Sequence, residues 1–395
     1  MTTPERPGGA AVAARPLAPG PPALASARVR RASEAERARL NETFADLCRI
    51  RSPSYQEDEC AAWVRAQLAA MGIAAEEDAA GNLLARIPGR REPGVLLCAH
   101  IDTVDPVAPI EPVLVDGGWE NAHDGTLGAD NKAAVAAMLE TARRLSVEGS
   151  PVAVELLFTR AEEDALAGAK AFDASRLRSE FGFVYDHATP VGEIVVASPT
   201  YFRIEAEFRG RAAHAGIRPQ DGRSAILAAA RAIAAMPHGR LDAETTANVG
   251  SVQGGVGSTN VVAERCRFLA ETRSLDPAKA EASVAAIIDA IHDAASDSEC
   301  DVDVTSERLF SGYRVKGSSP ALAAAETALR ACGYEPSRIV TGGGADANAL
   351  EAQGFHCINL ANGTERNHEP GERVPVAALE AMLDVTFELL EACAP

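Results

Sequence analysis

The stretch GVLLCAHID, residues 94–102, joins an apolar run to a His-x-Asp pair. Residues 95–99 are apolar without alternation, which is typical of a strand that is buried on both faces of a sheet. His100 and Asp102 follow at its carboxyl end, where α/β sheets gather functional groups. Residues two apart on an extended segment face the same way, so both side chains can reach one site. The stretch therefore predicts a buried strand that delivers two polar groups to a site at the sheet edge.

Three other apolar runs are also followed by acidic or His side chains. A single group of this kind could merely cap a strand, but the same arrangement at several strand ends indicates one shared site. Two adjacent carboxylates also repel each other unless a cation or a proton relieves them. The runs are VAVELLF (152–158) before Glu162 and Glu163, FGFVY (181–185) before Asp186, and CINLA (357–361) before His368.

A further carboxylate, Asp130, lies in the loop GTLGADNKAAV, which contains two glycines and leads into an amphipathic helix. As an isolated residue it would be interpreted as a helix N-cap. Together with the groups at the strand ends, it becomes a candidate for the same site.

Strands that alternate with helices predict an α/β fold with a mixed, largely buried sheet. The segment 199–311 has its own order, βαββαβ, which is typical of a ferredoxin-like unit. We therefore expect a catalytic domain formed by 36–198 and 312–395, with a smaller domain inserted into it. The Ala-, Pro- and Gly-rich residues 1–35 predict a disordered extension.

The composition excludes several kinds of partner. The formal net charge is −18, which argues against nucleic acid and against anionic membrane surfaces. No apolar run approaches the length of about 18 residues that a spanning helix needs. The 8 cysteines are scattered without a CxxC pair, which favours free thiols in a reducing cytoplasm.

The set of polar residues fits the chemistry of two zinc ions. Zinc binds His nitrogen and carboxylate oxygen, and a catalytic site leaves one position open for water. Two His and three carboxylates suffice for two ions about 3.5–4 Å apart if one carboxylate bridges them. Two further carboxylates can take the proton from water and fix the tautomer of an imidazole. The predicted ligands are His100, Asp130, Glu163, Asp186 and His368, with Glu162 as the base and Asp102 as the partner of His100.

These residues lie in motifs that follow one another from about residue 36 to the end. The motifs are LLCAHIDTVDP, GADNKAAVAAMLE, FTRAEEDALAGAK, YDH, GRAAHAG, STNVVAE, ETRSLD and GGGADANAL. In this order they resemble the zinc-dependent aminoacylase and carboxypeptidase superfamily, and within it the peptidase T (tripeptide aminopeptidase) branch.

The resemblance implies a mixed-sheet catalytic domain with an inserted ferredoxin-like lid, through which two subunits form a homodimer. It implies two zinc ions per subunit, with Co²⁺ or Mn²⁺ as possible substitutes, and a cis peptide bond directly after Asp130. The implied ligands are His100 and Asp186 for one ion, Glu163 and His368 for the other, and Asp130 as the bridge.

Three more candidates come from the same resemblance, and a fourth comes from the glycines of the GGGADAN loop, which permit close approach of the backbone. His214 matches a His that in relatives reaches the site of a partner subunit and stabilises the oxyanion; the alternative is an ordinary surface-loop His. Asn260 and Arg273 match a pair that holds the substrate backbone or its carboxylate, although Arg273 could equally be a solvated sheet residue. The GGGADAN loop is expected to line the cleft, with Asp346 receiving a substrate amine.

The sequence thus predicts a dizinc aminopeptidase that acts on short peptides. An N-acyl-amino-acid amidohydrolase or a metallocarboxypeptidase of the same superfamily remains an alternative substrate class. An inactive relative that serves as a binding protein is the alternative from a different class. One departure from the family concerns the residues after Glu163, which are often an apolar residue and Gly but here are Asp164, Ala165 and Leu166.

Overall fold

The computed structural model describes residues 31–394. The extension predicted over residues 1–35 falls mostly outside this range, and its last two residues already belong to the first helix. Within the described range the helices are α1 (Glu34–Arg49), α2 (Asp58–Ala70), α3 (Ala129–Glu148), α4 (Ala167–Ala171), α5 (Ala225–Ala235), α6 (Pro277–Asp297), α7 (Pro320–Ala331), α8 (Asp346–Ala352) and α9 (Val376–Ala392).

The strands, over the same residues, form three sheets. In chain order they are β1 (Ala75–Glu77), β2 (Leu83–Ile87), β3 (Val95–His100), β4 (Pro112–Val115), β5 (Gly118–Asn121), β6 (Val154–Thr159), β7 (Phe181–Tyr185), β8 (Glu193–Ser198), β9 (Thr200–Arg209), β10 (Gly239–Arg240), β11 (Thr245–Gly254), β12 (Arg265–Ser274), β13 (Asp301–Phe310), β14 (Tyr313–Arg314), β15 (Ser337–Val340), β16 (Cys357–Leu360) and β17 (Arg373–Pro375).

The largest sheet confirms the predicted mixed α/β class. Its order is β1-β2-β6-β3-β7-β16-β8-β14, with β15 paired to β8. The central strands β6, β3, β7 and β16 are parallel, whereas β2 and β8 flank them in antiparallel pairing. The carboxyl ends of the four central strands therefore meet at one edge of the sheet.

Strand β3 shows why its sequence is apolar without alternation. Leu97 and Ala99 pack on one face, in a cluster that includes residues of α1, α2, α3, α7 and α9. Leu96 and Cys98 pack on the opposite face, in a cluster that includes Leu350 of α8. All six residues of the strand are buried, as expected for a strand that is covered on both sides.

The inserted segment forms a second sheet with the order β10-β11-β12-β9-β13. Its main strands and the helices α5 and α6 follow the predicted βαββαβ order, and β10 is a short addition. A separate apolar cluster includes Phe208, Phe268, Ala228 of α5 and Ile287 of α6. The smaller unit therefore has a core of its own.

A third sheet, formed by β4, β5 and β17, was not predicted. The β4–β5 hairpin turns at Asp116 and Gly117, whose φ angles are 47° and 74°. Asp-Gly between two short strands is a known signal for such a turn, so the hairpin could have been found from the sequence. Strand β17 joins from the far end of the chain, with Val374 opposite Trp119, and this pairing has no local signal.

The 8 cysteines all lie within the described residues and are free thiols. Seven are buried, and Cys300 is half-buried. Among residues 31–394, no helix combines the length and the apolar character needed to cross a bilayer.

Candidate metal centre

The candidate site lies at the carboxyl edge of the parallel strands. β3 ends at His100, β7 is followed directly by Asp186, and β6 is followed by the pair Glu162–Glu163. The loop after β16 brings His368, and the irregular start of α3, where Asp130 and Asn131 have non-helical backbone angles, brings Asp130. Parallel strands place their carboxyl ends together, so segments that are distant in sequence meet here.

Three of these side chains form a first group of possible metal ligands. The ligand atoms of His100, Asp130 and Asp186 all lie within 4.8 Å of one another. Nε2 of His100 is 3.3 Å from Oδ1 of Asp130 and 3.7 Å from Oδ1 of Asp186. The imidazole is buried, with 1% of its side chain exposed.

A second group shares Asp130 with the first. It consists of Asp130, Glu163 and His368. Nε2 of His368 is 3.4 Å from Oδ2 of Asp130 and 2.9 Å from Oε1 of Glu163. The two oxygens of Asp130 thus face different imidazoles, which is the arrangement of a bridging carboxylate. The peptide bond between Asp130 and Asn131 is cis, as the resemblance implied.

The spacing of these atoms suits ligands of a common ion. Two ligands of one tetrahedral zinc ion, each about 2.0–2.1 Å from the metal, are about 3.3 Å apart. The four distances across the two groups lie between 2.9 and 3.7 Å. Oε1 of Glu163 is buried, and the polar atom that faces it is Nε2 of His368, itself a possible metal ligand. A cation would satisfy this oxygen.

The charge of the cluster also calls for a cation. Five carboxyl groups surround two imidazoles, and within the described residues none of the five forms an ion pair with Lys or Arg. Carboxylates that share a buried site repel one another unless protons or metal ions neutralise them. The residues present therefore fit a pair of divalent cations. The five are Asp102, Asp130, Glu162, Glu163 and Asp186.

Burial and the contacts with the two imidazoles shift the pKa values of the groups in the cluster. Hydrogen bonds to carboxylates raise the pKa of His368 to about 10. Burial acts to raise the pKa of Asp130, but hydrogen bonds with His100 and His368 outweigh it and lower that pKa. Burial, aided by the charge of Asp186, raises the pKa of Glu162 well above its usual range. Metal ions would compete with protons for these groups, so metal binding should release protons.

Asp102 contacts the imidazole of His100 and the backbone of Glu162 and Glu163. Its Oδ1 is 3.3 Å from Nδ1 of His100 and accepts a hydrogen bond from the N–H of Glu162 at 3.0 Å. Its Oδ2 accepts from the N–H of Glu163 at 3.2 Å and from the Ser54 hydroxyl at 2.7 Å. Nδ1 of His100 is also 3.0 Å from the backbone carbonyl oxygen of Asp102, so this one buried residue holds the imidazole and the backbone of both glutamates.

Two family models match adjacent parts of the chain. The model of peptidase family M28 matches residues 82–196, which contain β3, α3, β6 and β7. The M20 model described as the peptidase dimerisation domain matches residues 199–299, within the inserted sheet. Both matches agree with the division of the fold into two units.

Two relatives match nearly the whole chain. A Bacillus subtilis protein of uncharacterised function is 35% identical over 366 residues, which cover 90% of this chain and 98% of the relative. The crystal structure of aminopeptidase PepT from Bacillus cereus is 35% identical, with a TM-score of 0.82, and the match covers 91% of this chain and 99% of that one. This chain belongs to the peptidase T-like branch of the M20 metallopeptidases.

A tripeptidase structure from Staphylococcus aureus agrees, at 32% identity and a TM-score of 0.86, with 91% of this chain and 98% of that chain covered. Family membership confirms the predicted resemblance and the predicted enzyme class. This M20 peptidase is a metal-dependent hydrolase of peptide bonds.

Sequence reasoning missed polar residues that organise the site of this peptidase. Ser54 donates to Asp102, and the side-chain amide of Asn367 donates to Oδ2 of Asp130 at 2.8 Å. Glu372 accepts three backbone hydrogen bonds from the loop that ends at Asp130. Asn367 and Glu372 lie close to His368 in sequence, which is the one signal that could have drawn attention to them.

Asp346 of the peptidase lies inside the protein, under the ends of β3 and β6, and not in the cleft. It is 1% exposed, and its Oδ2 accepts a hydrogen bond from the Thr159 hydroxyl, with Sγ of Cys98 3.8 Å away. Burial raises the pKa of Asp346 to about 7. The predicted contact with a substrate amine is therefore wrong for this structure, since a substrate cannot reach the carboxyl.

Arg273 connects the lid of the peptidase to the GGGADAN loop. Its guanidinium lies over the ring of Tyr201, 4.1 Å from the centroid, and is paired with Glu271 at 3.1 Å. Nη1 donates to the carbonyl oxygen of Gly342 at 3.1 Å. The side chain is 26% exposed, so it is a partly buried contact between the two units and not a freely solvated sheet residue.

His214 and Asn260 lie together at an exposed end of the lid. His214 pairs with Val261 in a short bridge, and the N–H of Ala215 donates to the carbonyl of Asn260 at 2.9 Å. Nδ1 of His214 accepts from the N–H of Gly216 at 3.2 Å, so the neutral imidazole carries its proton on Nε2. Within residues 31–394, neither side chain belongs to the metal-binding groups of its own chain.

Asp164, which stands where the family often has an apolar residue after Glu163, forms a side-chain hydrogen bond. Oδ2 of Asp164 accepts a hydrogen bond of 2.5 Å from the hydroxyl of Tyr55. Tyr55 is 65% exposed and follows Ser54, which is bonded to Asp102. The residue that replaces an apolar family position thus forms a polar contact beside the metal cluster.

Proposed function

We propose that this peptidase is a dizinc aminopeptidase that removes the N-terminal residue of short peptides. The observation that carries the proposal is the pair of three-residue groups that share Asp130. Glu162 follows the same strand end as Glu163 and supplies a carboxyl group beside the ligands. The similarity to an aminopeptidase and a tripeptidase structure supports the choice of short peptides with a free N-terminus.

The distances support the ligand assignment that the family resemblance implies. His100 and Asp186 would hold one ion, Glu163 and His368 the other, with Asp130 between them. Mixed His and carboxylate ligation favours zinc, and Co²⁺ or Mn²⁺ can occupy the same kind of site. When bound, two such ions polarise the scissile carbonyl and lower the pKa of a water molecule.

Glu162 is the residue proposed to move the proton. Burial raises the pKa of Glu162, and a carboxylate with a raised pKa is a stronger base toward water than an exposed one. The water oxygen then forms its bond to the carbonyl carbon, the C–N bond breaks, and Glu162 returns the proton to the leaving amine. Asp102 holds the backbone N–H of Glu162 and thereby its position.

A panel of peptides tests the substrate class. We expect kcat/KM for a free tripeptide to exceed that for the same tripeptide with an acetylated N-terminus by about 10²-fold or more, since an aminopeptidase recognises the free N-terminus of its substrate and rejects an analogue that lacks it. Initial rates on tripeptides with free, N-acetylated and C-amidated termini give the comparison. Preference for the acetylated peptide would favour an N-acyl-amino-acid amidohydrolase, and dependence on a free C-terminus would favour a carboxypeptidase.

The peptidase is also proposed to act as a homodimer. Residues 199–311 would form the lid and dimerisation domain on a catalytic domain of 36–198 and 312–395, in line with the matched dimerisation domain and the separate core. His214 is exposed and carries a donor on Nε2, so it can reach the site of a partner subunit and donate to the oxyanion there. Asn260 and Arg273 are proposed to contact the substrate from the lid.

Mixing two inactive variants tests the shared site. His214→Ala and Glu162→Gln should each lose activity as homodimers. After subunit exchange at equal amounts, activity should return to about one quarter of the unchanged enzyme, because half of the dimers are mixed and each of these has one intact site. Peptide hydrolysis before and after exchange is the measurement. Mixed dimers that form but stay inactive would contradict the shared site.

A further inference from the structure

A buried glutamate after His368 holds the backbone that leads to Asp130. Glu372 is 1% exposed. Its Oε2 accepts hydrogen bonds from the N–H groups of Leu127 and Gly128, each at 2.8 Å, and its Oε1 accepts from the N–H of Asp130 at 2.9 Å. These lengths are those of well-formed hydrogen bonds, and bonds to a carboxylate are stronger than neutral ones.

The three bonds end in the irregular turn that leads into α3. Gly128 has a φ of 76°, and Asp130 and Asn131 have non-helical backbone angles, so the regular part of α3 begins after them. Glu372 supplies acceptors for the N–H groups of this turn, which a regular helix would not satisfy either. A general stabilisation of α3 is therefore the simplest explanation, and a test has to separate it from a role at the metal centre.

A second set of contacts connects Glu372 to His368. The loop that carries both residues is closed at its ends by Glu365 and Arg373, whose N–H and C=O groups exchange hydrogen bonds of 2.9 and 3.0 Å. Inside the loop, the N–H of Glu372 donates to the carbonyl of Glu369 at 3.1 Å. The side chain of Glu372 thus ties a closed loop that bears one ligand to the loop that bears the shared ligand.

We propose that Glu372 is a positioning residue that keeps Asp130 between His100 and His368. It acts on the backbone and leaves both oxygens of Asp130 free to face the two imidazoles. The inference rests on the proposed function, since it supposes that Asp130 binds both ions. Without Glu372 the two loops can shift independently, and metal affinity should fall by about 10–100-fold, the usual effect of removing an outer partner of the ligands.

The variant Glu372→Gln removes one acceptor while it keeps the size of the side chain, because an amide NH₂ cannot accept a hydrogen bond. Zinc affinity of the full chain is measured by competition with a chromophoric chelator. The visible absorption spectrum of the Co²⁺-substituted protein reports the ligand geometry without reference to activity. We expect weaker zinc binding by about 10–100-fold and a changed Co²⁺ spectrum.

Glu155 offers a matched control far from the cluster. It is 4% exposed, lies near the opposite end of β6, and accepts hydrogen bonds from the N–H groups of Arg178 and Ser179, each at 2.8 Å. Glu155→Gln should lower the melting temperature of the metal-free protein as Glu372→Gln does. It should leave zinc affinity and the Co²⁺ spectrum unchanged.

Wild-type zinc affinity and an unchanged Co²⁺ spectrum in Glu372→Gln would overturn the positioning role, as would an equal loss of affinity in Glu155→Gln. If Glu372→Gln does not fold, Glu372→Asp takes its place. This variant keeps the charge but is one methylene shorter, and the same loss of affinity is expected. An absence of metal binding in the unchanged protein would overturn the proposed function, and the positioning role with it.

Discussion

Replacing Glu162 with Gln is expected to lower kcat by about 10³-fold while the bound metal stays in place. The amide keeps the shape of the side chain but cannot take a proton from water or return it to the leaving amine. Glu162 lies within ligand distance of His100 and Glu163, but none of the distances that define the two groups around Asp130 involves it, so both of these groups remain intact. Steady-state kinetics on a free tripeptide and the metal content per subunit are the two measurements.

Glu140→Gln is the matched control for this prediction. Glu140 is also a buried glutamate, but it lies in α3 and is paired with Arg39 at 2.6 Å. Its replacement should leave kcat close to that of the unchanged enzyme. If Glu162→Gln stayed within about tenfold of the unchanged enzyme with its metal bound, another group would have to be the base.

Replacing Asp130 with Asn is expected to have the largest effect on metal binding. Asp130 is shared by the group with His100 and Asp186 and the group with Glu163 and His368, and an amide offers one acceptor oxygen in place of two. Affinity should fall by more than about 100-fold, beyond the loss caused by outer residues that only orient ligands. Peptidase activity should fall with it.

Chelator competition and elemental analysis of the purified variant measure this effect. Asp384→Asn is a suitable control. Asp384 lies in α9, is 2% exposed and is paired with Arg31 and Arg37, so it takes no part in the metal-binding groups. It should bind metal as the unchanged protein does. Retention of two tightly bound ions by Asp130→Asn would show that Asp130 is not the bridge.

Much of the metal centre could be predicted because its residues follow apolar runs. His100 and Asp186 stand directly at the ends of β3 and β7, so a local pattern in the sequence corresponds to a position in the sheet. The paired glutamates after β6 add a chemical signal, since adjacent buried carboxylates need a cation. The periodicity of the inserted segment likewise predicted its βαββαβ order, because each element there is long and has a clear apolar face.

What could not be predicted depends on contacts between distant segments. Glu372 is one acidic residue among many in the sequence, and its partners at 127–130 lie more than two hundred positions away. The pairing of β17 with β5 is equally non-local. Asp346 was misplaced because a glycine-rich loop indicates close approach of the backbone but not the side on which the next carboxylate is buried.

Anomalous diffraction at the zinc edge, from crystals grown with zinc, tests whether Asp130 joins two metal ions in one site. Two peaks per subunit are expected, about 3.5–4 Å apart. One peak should lie between His100 and Asp186, the other between Glu163 and His368, with Asp130 between them. A single peak, or two peaks that do not share Asp130, would show that Asp130 is not a bridging ligand.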